Sequence, residues 1–447
     1  MKLRSLVAWR KCAACLLGLL LVGCAHYQPH PLPTAPDLAR TPELTVPAQQ
    51  FWLPGLPPHP VSTQGLDETM VVTLAVFNNP DLKAARLQAG VASAQLLQAG
   101  LLPDPQFGTS LAFSPLNYGG GLGLSEEIQA LITRGAAKAA ANANQKQINL
   151  NILWQEWQVA AQAQQLFIQS RADDQIQHVL NASHALLEDR YVRDRTAMLR
   201  GDETSVTVAA DLNALADADT TLRQLETEVN LNRHELNALL GLQPDVQLHL
   251  IGPIKMLALT QSQFDAALAQ LPHQRADLLA LRAGYQSQEE NLRCAVLAQF
   301  PAMSAGVNLE RDPVEGVNDF GPAVSLTLPV FNRNRGHVAI ERATRAELWQ
   351  TYQARLDAAE SQADQVWRAE QIMSAQLEDL NAQLPLLARA ATAAEESFRQ
   401  HNLNAGLYVS TRSAFLAKQE EAIRLRASLD TARSALRILL GLPLNTP

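Results

Sequence analysis

Ser304-Ala305-Gly306-Val307-Asn308-Leu309-Glu310, a polar loop, and then Ala323-Val324-Ser325-Leu326-Thr327-Leu328-Pro329-Val330-Phe331-Asn332-Arg333-Asn334-Arg335-Gly336 form the stretch on which the rest of the chain turns. Ala305, Val307 and Leu309 alternate with small or polar residues, as do Val324, Leu326 and Leu328, so each run reads as a strand with one apolar face. Pro329 cannot donate to a strand ladder, and Gly336 is expected to free the backbone where a helix begins. Helix-like sequence flanks the stretch on both sides.

The pattern recurs upstream. Pro105 stands 196 residues before Pro301, and Asn79-Pro80-Asp81-Leu82 matches Arg275-Ala276-Asp277-Leu278 in pattern. A second hairpin follows Pro105, with runs Phe107 to Phe113 and Leu122 to Gln129. Both halves end alike, on Asn237-Ala238-Leu239-Leu240-Gly241-Leu242 and Arg437-Ile438-Leu439-Leu440-Gly441-Leu442. A tandem duplication accounts for this, each copy reading helix, β-hairpin, very long helix, turn, long helix.

The long helices carry a 4-3 apolar spacing. From Tyr352 it runs through Leu356, Ala359, Ala363, Val366, Met373, Leu377, Leu380, Leu384, Leu387, Ala391, Ala394 and Phe398, broken at Glu370. That is a coiled-coil seam of roughly 70 Å at about 1.5 Å per residue. A return seam passes through Leu425, Leu429, Ala432, Leu436 and Leu439, and the first half repeats it through Leu215, Ala218, Leu222, Leu225, Val229, Leu236 and Leu239. Pro385 is expected to bend the second outbound helix. Single amphipathic helices are expected over 66–99 and 264–297, before the two hairpins. The fold class is mainly α with a small β part: long antiparallel coiled-coil helices and four strands per chain.

Residues 1–23 read as an export signal, with a basic start and a short apolar run ending in Leu21-Val22-Gly23-Cys24. The run is too short to span a membrane. Small residues before Cys24 fit the bacterial lipoprotein pattern, in which that thiol carries lipid, and Ala25 fits delivery to the outer membrane. Removing a segment with four bases (Lys2, Arg4, Arg10, Lys11) and no acid takes the charge from −8 to −12, which argues against nucleic-acid binding. Cys12 and Cys15 leave with the signal and Cys24 is lipidated, so Cys294 has no cysteine to pair with. Residues 24–65 are proline-rich and read as an extended, lipid-anchored strap. The organisation is then signal 1–23, strap 24–65, first repeat 66–250 with its hairpin at 105–129, linker 251–263, and second repeat 264–447 with its hairpin at 301–329.

Taken together, the repeat, the paired hairpins, the Leu-Pro-Val-Phe-Asn…Gly junction at 328–336 and the Leu-Leu-Gly-Leu ends resemble the TolC-like family of outer-membrane efflux factors. The first copy departs at the junction, with Ile128-Gln129-Ala130-Leu131-Ile132-Thr133-Arg134-Gly135 in its place. Four strands cannot close a barrel in one chain and open edges are not viable in lipid, so several copies must close it. The resemblance implies three, with a periplasmic adaptor and an inner-membrane pump as partners and outer-membrane lipid around the barrel. It also implies that the helical tips form the periplasmic aperture. Gly201 and Gly406 are the expected tip turns, and Asp194, Asp202 and Glu203 are aperture or gating candidates, with helix capping by Asp202 and plain solvation of Asp194 as the alternatives. Pro329, Phe331, Asn332 and Gly336 mark the β-to-α junction.

No catalytic set, cofactor motif or metal set is expected. His178 and His184 lie on different faces of one helix, and Gly119-Gly120-Gly121-Leu122-Gly123 lacks the Lys-Ser/Thr of a phosphate loop. The expected function is the passive outer-membrane duct of a tripartite efflux system in a Gram-negative bacterium, lipid-anchored and reaching into the periplasm. A lipid-anchored periplasmic scaffold and a duct for type I protein secretion are the alternatives. The sequence does not name the cargo.

Overall fold

A computed structural model describes residues 27–43, 65–113, 118–254, 256–312 and 314–443. The signal segment, Cys24 and strap residues 44–64 lie outside them. Residues up to Leu38 form a unit of their own, and in its described part, Tyr27 to Leu38, there is no helix or strand. The second unit, Ala39–Pro447, holds every named element.

Its elements are α1 (Glu68–Asn78), α2 (Pro80–Gly100), β1 (Gln106–Phe113), β2 (Tyr118–Glu127), α3 (Ile128–Arg200), α4 (Ser205–Leu239), α5 (Gln261–Gln274), α6 (Ala276–Leu297), β3 (Ala302–Arg311), β4 (Asn318–Thr327), α7 (Arg335–Arg399) and α8 (Ala405–Leu439). The order repeats, as the duplication requires. At 73 residues α3 is roughly 110 Å long, and α7, at 65 residues, roughly 98 Å. α3 packs against α1, α2, α4, α6 and α8, while α7 packs against α5, α6 and α8.

Each helix expected before a hairpin is in fact two. Asn79 leaves the helical region at ψ 124°, because the residue before a proline is pushed out of it, and its side chain caps the amide of Leu82 at 2.9 Å. Its amide also donates to the carbonyl of Leu239 at 3.2 Å. Arg275 makes the corresponding break without a proline. Its guanidinium is buried, bonded to Asp277 at 2.8 Å and to the Leu439 carbonyl at 3.3 Å, and sits over Trp154. Asn79 and Arg275 thus hold matching carbonyls 200 residues apart.

Two matching cores follow. One gathers Val71, Leu74, Trp157, Phe167, Leu236 and Leu240. The other gathers Phe264, Leu271, Leu278, Trp367, Leu436 and Leu440, with Phe264 stacked on Trp367 at 4.7 Å. Glu370, which breaks the apolar seam, is buried and bonded to Arg433 at 2.9 Å, so the seam stays closed through an ion pair. α7 runs as one helix through Pro385. Among the described strap residues, Ala39 bridges Leu242 and the Glu43 carbonyl accepts from Asn78 at 2.7 Å.

The strands make one antiparallel sheet in the order β1-β2-β3-β4. The two hairpins therefore join through β2 and β3, which leaves β1 and β4 as edges.

Candidate duct face and helical tips

Register separates the sheet into two chemically distinct faces. One row runs Phe107, Leu124, Val307, Pro322; the next runs Thr109, Leu122, Leu309, Phe320. Ala305 with Val324, and Met303 with Leu326, extend the same face. Phe107, Leu122, Leu124, Val307, Leu309, Phe320, Val324 and Leu326 are all exposed in the single chain. The other face carries Gly108, Gly123, Asn308 and Gly321 in one row and Ser110, Gly121, Glu310 and Asp319 in another. A Cβ at Gly123 would stand 2.7 Å from the Asn308 side chain, so the glycine lets Asn308 lie against the polar wall. An apolar outer face and a small, polar inner face are what a lipid-facing barrel wall requires.

Below the sheet, Leu328, Val330 and Phe331 are exposed. The β-to-α junction differs from expectation at Gly336, which is already inside α7 with open space around it. The left-handed positions are Arg333 (φ 49°) and Asn334 (φ 51°), and Asn334 is held by its amide donating to the Ala295 carbonyl at 2.8 Å. The Asn332 carbonyl accepts from the Arg335 amide at 3.1 Å, while Pro329 precedes the turn. In the first copy β2 passes directly into α3, which explains the missing junction motif.

The two tips are built alike, with one substitution of role. In the first, Gly201 is left-handed at φ 82° and Thr204 caps α4 by accepting from the Thr207 amide at 3.2 Å. In the second, His401 is left-handed at φ 61° and Asn404 caps α8 by accepting from the Leu407 amide at 2.7 Å. Gly406 lies inside α8, so His401 takes the place the sequence reading gave to that glycine.

The tip carboxylates are not equivalent. Asp202 is exposed and does not cap the helix; Glu203 accepts from the Thr204 amide at 2.8 Å. Asp194 lies 3.6 Å from Arg190, whose Nε is 2.8 Å from Asp211 on α4. Asp211 is buried, with its Oδ2 atom lacking a hydrogen-bond donor. Burial, then the neighbouring Asp194 carboxylate, pushes its carboxyl up to about 6, against the pull of Arg190. The sequence reading missed Asp211; its signal was the Arg190/Asp194 pair one turn apart, facing an aspartate on the returning helix.

One contact spans the two tips. Phe398 of α7 stacks on Tyr408 of α8 at 4.9 Å, and the Arg193 guanidinium of α3 sits 5.2 Å from the Phe398 ring centre. His184 bonds Asp219 at 2.9 Å rather than pairing with His178, and among the described residues no three His, Cys, Asp or Glu side chains gather into a metal-binding group. Nor is any described helix long and apolar enough to cross a membrane.

No protein-family model and no curated protein matches the chain. Solved structures do. The outer-membrane channel OprN matches at TM-score 0.70 and 14% identity over 84% of this chain and 89% of its own. CusC, whose structures describe folding and transmembrane channel formation, matches at 0.69 and 15% over 92% and 99%. The outer membrane protein VceC of Vibrio cholerae matches at 0.68 and 16% over 85% and 97%. The chain therefore has the fold of the TolC-like outer-membrane channels, as the sequence resemblance implied.

Proposed function

We propose that this chain is a passive outer-membrane exit duct, with its four strands contributing one third of a trimeric β-barrel and its long helices forming a hollow periplasmic tube. The observation that carries the reading is the apolar face that runs from Phe107 through Leu124 and Val307 to Leu326, on a sheet with two free edges. A surface of that kind is stable against hydrocarbon and costly against water. The sequence carries no nucleotide-binding motif of the phosphate-loop kind. Flux is then driven by an inner-membrane pump reached through a periplasmic adaptor, and Cys24 carries the lipid that tethers the amino terminus to the outer membrane of a Gram-negative cell.

The aperture lies at the tips. Arg193, Phe398 and Tyr408 hold the two helical hairpins together there, while Asp202 and Glu203 bring negative charge to the opening and Asp194 with Asp211 braces the first hairpin from within. The adaptor opens the duct by loosening these contacts. Gly201 and His401 set the hairpin turns that it meets.

The test is conductance of the purified, lipid-bearing protein in a planar bilayer, beside a variant carrying Asp194→Asn, Asp202→Asn and Glu203→Gln. Discrete cation-selective steps from the parent, larger and less selective in the variant, support the duct and its tip aperture. Silence from both, with the protein still membrane-bound, leaves the lipid-anchored scaffold.

A further inference from the structure

The apolar band crosses the sheet on a diagonal. On β3 and β4 it runs from Met303 and Leu326 up to Leu309 and Phe320, and the next row outward is polar, Arg311 with Asn318. On β1 and β2 it begins only at Phe107 and Leu124, because the row beneath holds Glu126, and it continues past Thr109 and Leu122 to Leu111. The lower edge of the band on the second hairpin therefore sits two rows below that on the first, and its upper edge one row below. Two rows are roughly 13 Å along a strand, set against roughly 10 Å across two strands. That corresponds to a strand tilt of about 50°, close to the ~45° usual for membrane-crossing strands.

The duplication gives the same step independently. Setting Pro105 on Pro301 makes Phe107 the counterpart of Met303 and Leu111 the counterpart of Val307. The two hairpin registers then carry Leu124 onto Leu326 and Ser125 onto Thr327. The joint between the hairpins pairs Leu124 with Val307, Ser125 with Gly306 and Glu126 with Ala305.

We propose that the free β4 edge pairs with the β1 edge of a second copy of this chain in the register of the β2–β3 joint, placing Leu326 opposite Leu111, Thr327 opposite Ser110 and Leu328 opposite Thr109. The proposal rests on the barrel reading above and adds the joint that closes it. β4 runs opposite to β1, so the new pair is antiparallel like the three already present. Leu326 and Leu111 both lie on the apolar face, Thr327 and Ser110 both on the polar one, so neither face is broken at the seam. A flush joint, with Leu326 beside Phe107, removes the two-row step and throws the band out of a single membrane plane. The same step at every hairpin joint keeps it level.

The test is oxidative cross-linking of the full-length chain in its membrane, in a Cys294→Ser background, with Ser110→Cys and Thr327→Cys together. A second pair, Thr109→Cys with Leu328→Cys, samples the same register, and Gly108→Cys with Thr327→Cys samples one row lower. Native mass spectrometry reports assembly of each variant separately. The expected result is a ladder of linked copies for the first two pairs, at least about tenfold stronger than for the third. Equal or stronger linking in the third pair, from a protein still assembled, overturns the register and leaves the barrel standing. Absence of any assembly in the parent overturns the register and the barrel together.

Discussion

Asp211 gives the first helical tip a pH dependence whose sign is fixed by its displaced carboxyl. Its folded value of about 6 lies above the ordinary 3.8, so between those values the folded tip binds more protons than the unfolded chain. Stability contributed by this group is present below about pH 4 and is lost as pH rises through about 6. The amides of 190–211, corrected for intrinsic exchange, are thus expected to be better protected from hydrogen exchange at pH 5 than at pH 7.5. Asp211→Asn keeps a donor toward Asp194 and removes the ionisation, so it should raise protection at pH 7.5 and flatten the profile. A profile unchanged by the substitution would remove Asp211 from the account. The turns give a second contrast at this scale. Gly201→Ala forces a side chain into φ 82° and should cost about 1 kcal/mol, whereas Gly406→Ala, inside α8, should gain about 0.5–1 kcal/mol. Local exchange at each tip reads both.

At the scale of elements, the sheet's two faces should respond oppositely to the same insult. Val324→Arg places a cation on the apolar face and should cost about 2–4 kcal/mol if that face meets hydrocarbon, seen as loss of assembled protein in the outer-membrane fraction. Ser325→Arg, one residue on and facing the polar side, should assemble normally and shift ion selectivity away from cations. Equal yields from both would mean the apolar face does not meet lipid. These faces were legible in the sequence because strand alternation has a period of two, and so was the repeat, because Pro105 and Pro301 punctuate it. The helix breaks at Asn79 and Arg275 were harder. Asn-Pro is a readable stop, but Arg275 stops its helix through Asp277, Trp154 and a carbonyl 164 residues away, contacts that no local pattern encodes. His401 escaped for a related reason: a left-handed turn usually advertises itself with glycine, and here Gly406 stood nearby as a decoy. Asp211 was hidden by its neighbours, since an aspartate among the many charges of a long helix reads as solvated until the partner helix buries it.

At the scale of the whole molecule, the duct and the scaffold differ in what holds the protein to the membrane. A scaffold depends on the lipid at Cys24 alone, because its apolar sheet would be covered by a partner protein. A duct has a second and stronger anchor, since each copy lays an apolar face four strands wide against hydrocarbon, and burial is worth roughly 25 cal/mol per Å² of that surface. A lipoprotein cysteine carries a diacylglycerol, so on the proposed lipidation Cys24 brings two chains and is an anchor in its own right. Cys24→Ser, exported behind an ordinary cleavable signal, separates the two. The duct reading expects the unlipidated protein to remain in the outer membrane through carbonate washing and to keep the parent's conductance, with slower assembly as the main loss. The scaffold reading expects it in the soluble periplasmic fraction. Combining Cys24→Ser with Val324→Arg sharpens the comparison: for a duct, Val324→Arg alone loses assembly but stays membrane-bound through its lipid, so only the double variant should be released.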